Sequence, residues 1–596
     1  MRTPRASVVI AAVLGTIAAL TTTASATEPP AYWVATGYGG AVSTVDVQAS
    51  RSALDVLREG GNAVDAAVAA AATLGVTEPY SAGIGGGGFF VYFQAGTGRV
   101  VTLDGRETAP QAMDSTTFID PATGQPIPFA EAVTSGLSVG IPGTPATWVQ
   151  ALDQWGTISL EEALQPAIRI ADRGFPVDET FHKQTADNAA RFAHFSSTAA
   201  LFLPEGQPPV IGSTFRNPDL AETYRQIAHH GVTWLYQDQL AREIVHTVHH
   251  PPLVPGDDYH ARPGLMEASD LSAYQAISRE PTHTRYQGLD VYGMGPPSSG
   301  GSTVGEALNI LSHLPASAAD PVATLHGYLE AGRLAFADRN RYLGDPAHVD
   351  VPLAELLSPG FAGERACLID PQRAAPGPVL PGNPDGDYYG CPASSGSPGA
   401  EPVEGPNTTS LVTSDRWGNV AAYTLTIEQT GGNGIVVPGR GFLLNNELTD
   451  FSFAPTQGGE PDPNLPAPGK RSRSSMAPTI IVRNGQPFLA VGSPGGATII
   501  TTVLQILVNR LDLEMGLADA IAAPRASQRN TTTTDAEPEF LHRYEAALKE
   551  LGHQFTTNPE IGAANALEFL GHGKVVVVAE PMRRGGGSAM VIRSSD

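Results

Sequence analysis

Hydroxyls and glycine N–H groups able to meet an anion or a developing oxyanion gather in the last third of this 596-residue chain. Strand-like runs Thr409–Ser414 and Val420–Ile427 flank Asp415-Arg416-Trp417-Gly418-Asn419, whose Gly and Asn suit a tight reversal. Centring that turn on Trp417 sets Thr408 opposite Thr426. Further on, Thr479–Arg483 and Pro487–Val491 flank Asn484-Gly485, a strong short hairpin signal. The pairing it implies brings Ser474-Ser475 beside Pro494-Gly495-Gly496. Convergent hydroxyls and glycine N–H groups are what an anion or a developing oxyanion needs. The same residues also suit an ordinary loop held by serine–backbone bonds, and β-propensity alone explains a Thr-Thr pair at a strand start.

Two other patterns are set aside. Gly83-Ile84-Gly85-Gly86-Gly87-Gly88 satisfies G-x-G-x-x-G, with Asp104 beyond, but a strand-like FFVYF follows where a dinucleotide site requires a helix. His246 and His250 have i, i+4 spacing, yet Pro251 ends the segment and no third ligand is at hand. Neither metal nor cofactor is expected.

The elements that must position these groups belong to a large folded chain. With 41% hydrophobic and 16% charged residues it can bury a substantial core. Lys+Arg 36 against Asp+Glu 60 gives a net charge of −24, which argues against nucleic acid or anionic lipid as partner. Residues 1–26 read as an export leader: Arg2 and Arg5, an apolar run Ala6 to Leu20, then Ala24-Ser25-Ala26, with the mature chain beginning near Thr27. No later stretch reads as a membrane span. Two cysteines allow at most one bridge; Cys367 and Cys391 can pair in an oxidising compartment, worth roughly 3 kcal/mol, or remain free thiols.

Ala49 to Leu74 carries helical spacing broken at Gly60, and Ala63 to Val76 reads as a buried helix despite Asp65. Helical patterns recur at Ala146–Trp155, Ser159–Arg173, Asp219–His230 and Val322–Arg339. From Leu368 to Asn407 the composition turns to Pro, Gly, Ser and Asp, as in an exposed loop. Short strands follow, then a helix from Ala497 to Arg510. The pattern predicts a helix-rich larger part and a strand-rich smaller part joined by a flexible segment.

Many of these segments together resemble the gamma-glutamyltranspeptidase family, the glutathione hydrolases of the N-terminal-nucleophile superfamily. The matching runs are GGNAVDAAVAAAATLGVTEPYSAGIGGGGFF from Gly60, LDGRETAP from Leu103, VGIPGTPA from Val139, PPSSGG from Pro296 and FADRNRYLGDP from Phe336. After the loop come NTTSLVTSDRWGNVAAYTLT, GFLLNNELTDFS, SSMAPT, VGSPGGATIITTV and RRGGGSAM, in the family's order over nearly the whole mature chain.

The resemblance implies an α/β fold, a four-layer αββα sandwich. It implies self-cleavage between Asn407 and Thr408 into a large subunit, 27–407, and a small one, 408–596, that stay associated. Thr408 would be nucleophile and, through its freed α-amine, its own base. That amine's pKa of about 7.7–8.0 suits neutral pH. Thr426 would bond the nucleophile's hydroxyl, and Gly495 and Gly496 would supply the oxyanion hole. Arg106, Ser474 and Ser475 would hold the donor's α-carboxylate; Glu428, Glu447 and Asp450 would hold its α-ammonium. The implied chemistry cleaves glutathione and other γ-glutamyl amides, with water, amino acids or peptides as acceptors. A glutaryl-type β-lactam acylase, or an unprocessed binder of γ-glutamyl peptides, stands as the alternative. Two departures are visible: Ser410 replaces a frequent His and should point away from the site, and the lid position, Ala454 to Lys470, lacks any aromatic residue unless Phe453 at its edge serves.

Overall fold

Thirteen strands of a computed structural model join in one antiparallel sheet. The structure describes Met1 and residues 33–388, 390–391, 405 and 407–594; the leader, and residues 389, 392–404 and 406 of the loop before Thr408, lie outside them. The strands are β1 Val34–Thr44, β2 Gly87–Gln94, β3 Arg99–Gly105, β4 Ile277–Arg279, β5 Thr282–Tyr286, β6 Leu289–Gly293 and β7 Thr409–Asp415. They continue with β8 Val420–Thr426, β9 Thr479–Arg483, β10 Gln486–Gly492, β11 Asn565–Gly571, β12 Lys574–Val578 and β13 Ser588–Ser594. The order is β4-β3-β2-β8-β7-β1-β12-β11-β10-β9-β6-β5, with β13 also pairing β1.

Strand β1 turns this ribbon into two layers. Its first half, Val34 to Tyr38, pairs with β12, whereas Gly40 to Ser43 pair with β7, and its register against β13 breaks between Tyr38 and Ala41. Gly39 (φ 88°) and Gly40 (φ 135°) supply the backbone this bend requires. Because side chains alternate along a strand, each layer has two faces to bury. Val412, Val420 and Ala422 share a core with Ile480, Leu489 and Val491 of the other layer. Leu411, Ala421 and Tyr423, on the opposite face, pack against helices α1 Val47–Glu59 and α2 Ala63–Thr77. On the far side, α3 Gly300–Leu311, α4 Pro321–Tyr342 and α5 Thr498–Leu511 cover the second layer through Val304, Leu329 and Val503. The expected αββα layering is present.

The predicted helices are present within a few residues of their expected ends. Asp46 caps α1, Gly60 (φ 108°) ends it, and Asn62 with Asp65 forms a capping box on α2. Every residue of α2 is buried; Asp65 is tolerated there because Thr157 and the N–H of Asn62 bond its carboxylate. Helices predominate before Asn407 and strands after it, as expected, and the two parts share one sheet. The chain from Tyr32 to Asp596 is one compact unit, and β7–β8 insert between β1 and β2, two strands that are consecutive in the preceding sequence.

The first hairpin has the expected register, Thr409 facing Leu425. Asp415 Oδ1 accepts from the N–H groups of Trp417 and Asn419, and Gly418 adopts φ 87°. The second departs from a simple pairing: Val482 faces Pro487, but a bulge shifts the rest so that Ile481 faces Leu489 and Thr479 faces Val491. Pro487 has no N–H to complete the ladder, a physical reason for a bulge there.

Cys367 and Cys391 form a disulfide, with Cα atoms 5.9 Å apart. Among the described residues, no helix is long and apolar enough to cross a membrane.

Candidate active site

Two threonine hydroxyls meet where β8 ends, at Thr426, and just before β7 begins, at Thr408. Thr408 Oγ1 lies 3.3 Å from Thr426 Oγ1 and 2.5 Å from the carbonyl oxygen of Asn407. The Thr426 hydroxyl donates to that same carbonyl at 3.0 Å and accepts from the N–H of Glu428 at 2.9 Å. Asn407 is pinned from three sides: its amide donates to Tyr80 O, and its Oδ1 accepts from Ser81 (3.1 Å) and Arg584 (3.0 Å). Arg584 also donates to the Thr408 carbonyl at 2.9 Å. The chain can approach this closely because of the glycine run set aside above as a nucleotide motif. A Cβ on Gly86 would sit 2.0 Å from Thr426 O, and one on Gly88 2.4 Å from Thr424 O.

One cavity is lined by Arg106, Asn407, Thr408, Thr426, Glu428, Glu447, Asp450, Ser474, Ser475 and Gly496, with Gly405, Met476 and Ile499. Gly495 (φ 138°) and Gly496 (φ 56°) form the turn into α5, both in backbone regions that favour glycine. Arg106, from the segment after β3, is fully buried and is held by the carboxylates of Glu447 and Asp450 and the carbonyls of Ser472 and Arg473. Glu447 and Asp450 come from the short turn Glu447–Asp450, and the Glu428 carboxylate accepts from Gly405 N–H and Asn446.

The charges do not balance. Glu447, Asp450 and Glu107 act on the Arg106 guanidinium, and Glu428 lines the same cavity. Burial, reinforced by Asp450 and Glu447, pushes Glu428 well above the usual carboxylate range. Burial and the Asp450 charge, opposed by Arg106, place Glu447 at about 8. Burial and Glu447 also raise Glu107 well above its ordinary value. Burial works against the Arg106 charge, but Glu447, Asp450 and Glu107 more than offset it and raise its pKa. A pocket so rich in acids gains by receiving a cation beside the anion that a guanidinium attracts.

The serines owe their placement to two motifs that sequence reasoning quoted without a role. In PPSSGG, the Ser299 hydroxyl and N–H both donate to Ser474 O at 2.7 Å, and Ser298 donates to Met476 O. In FADRNRYLGDP, the buried Arg339 donates to Ser475 Oγ at 2.7 Å and to Ser299 Oγ at 2.9 Å. Arg584, in RRGGGSAM, is likewise a site residue that sequence reasoning missed; its signal was the motif itself.

The departures resolve physically. Ser410 turns from the cavity toward Thr424 Oγ1, 3.2 Å away, on the face opposing Gly492. Phe453 does not cover the pocket: its ring stacks on Phe118 at 4.2 Å in a separate small core. His246 and His250 sit at a helix end with ring centroids 4.9 Å apart, and no group of three or more metal-binding side chains occurs among the described residues.

Residues 49–590 match the family model for gamma-glutamyltranspeptidase. The chain belongs to this family. It is 38% identical over 563 residues to a glutathione hydrolase proenzyme of Bacillus subtilis, covering 92% of this chain and 91% of that one. It is 36% identical to the Escherichia coli glutathione hydrolase proenzyme over 82% of this chain and 80% of that one. Among solved structures, a cephalosporin acylase from Bacillus halodurans superimposes with a TM-score of 0.82 at 27% identity, covering 96% of this chain and 99% of that one.

Proposed function

We propose that this member of the gamma-glutamyltranspeptidase family is a self-processing γ-glutamyl hydrolase and transpeptidase acting on glutathione and other γ-glutamyl amides. The observation that carries the reading is the meeting of the Thr408 hydroxyl, the Asn407 carbonyl and the Thr426 hydroxyl at hydrogen-bond distance. The Thr408 oxygen attacks the Asn407 carbonyl carbon while Thr426 stabilises the growing charge on the carbonyl oxygen. The C–N bond breaks as the amide nitrogen takes a proton, leaving an ester that water hydrolyses to an Asn407 carboxylate and a free Thr408 amine. That amine then serves as base for the hydroxyl of its own residue. The subunits 27–407 and 408–596 stay together because strands from both sides of the cut alternate in one sheet.

In turnover, Arg106, Ser474 and Ser475 hold the donor's α-carboxylate, and Glu428, Glu447 and Asp450 its α-ammonium. Both ends of an amino acid head group are thereby read, which leaves the γ-amide at Thr408. Attack gives a γ-glutamyl–Thr408 ester, with Gly495 and Gly496 stabilising the oxyanion and with water, an amino acid or a peptide amine as acceptor. Export, with leader cleavage near Thr27, places the enzyme outside the cytoplasm.

The likeness to a cephalosporin acylase favours a second reading, hydrolysis of glutaryl amides. A glutaryl group lacks the α-ammonium that three carboxyl groups here would meet, so paired assays with γ-glutamyl and glutaryl anilides separate the two. For the primary reading, Thr408→Ala should remain one full-length band on a denaturing gel and release nothing from a γ-glutamyl anilide. Two bands, or residual turnover at the wild-type rate, would overturn it. A wild-type chain that stays in one piece and only binds γ-glutamyl peptides would make it a binding protein.

A further inference from the structure

Lys470 is buried, 3% exposed, yet makes no ion pair among the described residues. Its ammonium instead donates to the carbonyls of Pro463 and Leu465, both at 2.8 Å. Between those two carbonyls stands Asn464, also buried. The Asn464 amide donates to Asp450 O at 2.6 Å, and its Oδ1 accepts from Arg473 N–H at 2.8 Å. Its backbone carbonyl accepts from Ser452 N–H at 2.9 Å, and its N–H donates to Asp462 Oδ1 at 2.8 Å. Asp450 and the Arg473 carbonyl are in turn two of the groups that grip the Arg106 guanidinium.

We propose that Lys470 and Asn464 are positioning residues for the donor's amino acid head group: the charged Lys470 ammonium locks the 463–465 turn, and Asn464 thereby fixes Asp450 and Arg106. This rests on the head-group reading given above. The segment occupying the lid position is on this account a buttress beneath the binding site. Its lack of aromatic residues follows, since its task is to present carbonyls and one amide inward.

The clamp operates only while the ammonium keeps its proton, because a neutral amine has two donors of weaker charge and a lone pair to satisfy. Burial, together with the nearby Arg473 charge, pulls Lys470 down to about 8, although Asp345 and Asp462 favour its charged form. Other charged groups face the region. His348 contacts Asp345 at 3.2 Å and Pro468 O at 3.0 Å, and Arg279 lies 3.8 Å from Asp345. Arg471 N–H donates to Asp345 at 2.9 Å. Loss of the Lys470 proton loosens the turn, which weakens donor binding on the alkaline side and opposes the gain from ionising Glu447, while the chemistry at Thr408 is spared.

The test compares wild type with Lys470→Met, Lys470→Arg and Asn464→Ala, using γ-glutamyl anilide hydrolysis from pH 6.5 to 9.5. Lys470→Met and Asn464→Ala are expected to raise donor KM by about tenfold at pH 7 with kcat within about threefold. Lys470→Arg, which cannot lose its charge, should show a lower KM than wild type on the alkaline side. Amide hydrogen exchange over residues 462–473, corrected for intrinsic rates, supplies a readout that needs no turnover: protection should fall between pH 7 and 9 in wild type and persist in Lys470→Arg. Unchanged KM in Lys470→Met and Asn464→Ala, or equal pH dependence of exchange in wild type and Lys470→Arg, overturns the clamp. Absence of γ-glutamyl turnover in wild type overturns the head-group reading instead, and the exchange measurement then still decides whether Lys470 locks the turn.

Discussion

Removing one hydroxyl, in Thr426→Val, tests the geometry at the scissile bond most directly. Valine fills nearly the same volume, so packing at this buried position is preserved while three polar contacts vanish. The Asn407 carbonyl loses the donor that faces its oxygen at 3.0 Å. Loss of an oxyanion donor typically costs about 2.7–4 kcal/mol of transition-state stabilisation, or a factor of about 10²–10³ in rate. The Glu428 N–H also loses its acceptor, a buried penalty of about 1–3 kcal/mol. That penalty falls on a residue already at φ 78°, a conformation the Thr426 hydroxyl helps to hold. Conversion of the full-length chain into two fragments should therefore slow by at least about 10²-fold. The assay is a denaturing gel time course with mass spectrometry of the new N-terminus, and Thr426→Ser, which keeps the hydroxyl, should process at close to the wild-type rate. If Thr426→Val cut itself within about threefold of wild type, a difference below 1 kcal/mol, the donor would be irrelevant and the proposed chemistry at Asn407 would fail.

Arg106→Lys keeps the charge but loses the planar fork that spans two carboxylates and two carbonyls; one lost charge-assisted contact, about 1.5–3 kcal/mol, should raise donor KM by about 10–150-fold, read from steady-state kinetics. Donor binding at pH 7 should release protons, because Glu447, raised to about 8, must ionise to meet an ammonium. Calorimetry in buffers of different ionisation enthalpy checks this, and buffer-independent heats would sink it. The same shift has a sign for stability without ligand: between the ordinary carboxylate range and about pH 8 the native state holds the extra proton, so this group's contribution falls as pH rises through that window. Because Cys367 and Cys391 both precede Asn407, the bridge does not join the fragments, and reducing and non-reducing gels should show the same two bands. Reduction should cost roughly 3 kcal/mol, which in a unit of this size lowers Tm by only about 2–3 °C, measurable by calorimetry.

Much of the local structure was legible because single residues dictate it. Asn484-Gly485 and Gly418 specify their turns, Gly60-Gly61-Asn62 separates two helices, and the alternation in β7–β8 sets Thr408 against Thr426. How the two parts interleave in one sheet is not legible, for an equally physical reason. Composition changes sharply at the loop before Thr408, but strand order depends on which edges pair, and nothing in a strand's own residues names its neighbour. The Pro487 bulge was hidden behind a strong turn signal. Arg339 and Arg584 were invisible as site residues because each acts on a partner more than 130 positions away. Phe453 does not serve as a cover because adjacency in sequence says nothing about which way a ring turns, and this one packs on Phe118.

The sheet order also explains why a backbone can be cut here without loss of the fold. Severing a chain is destabilising when the fragments meet across a small interface, since their separation then regains translational freedom. Here β7, the strand that begins with Thr409 beside the proposed nucleophile, hydrogen-bonds to β1 on one side, and its hairpin partner β8 bonds to β2 on the other. The same interleaving recurs where β9 bonds β6. Separating the fragments would require breaking five ladders, since β1 also pairs with β12 and β13, and both shared cores together. A terminus can therefore be created at Thr408, where the proposed mechanism uses a free amine, while the surrounding strands hold its hydroxyl 3.3 Å from that of Thr426.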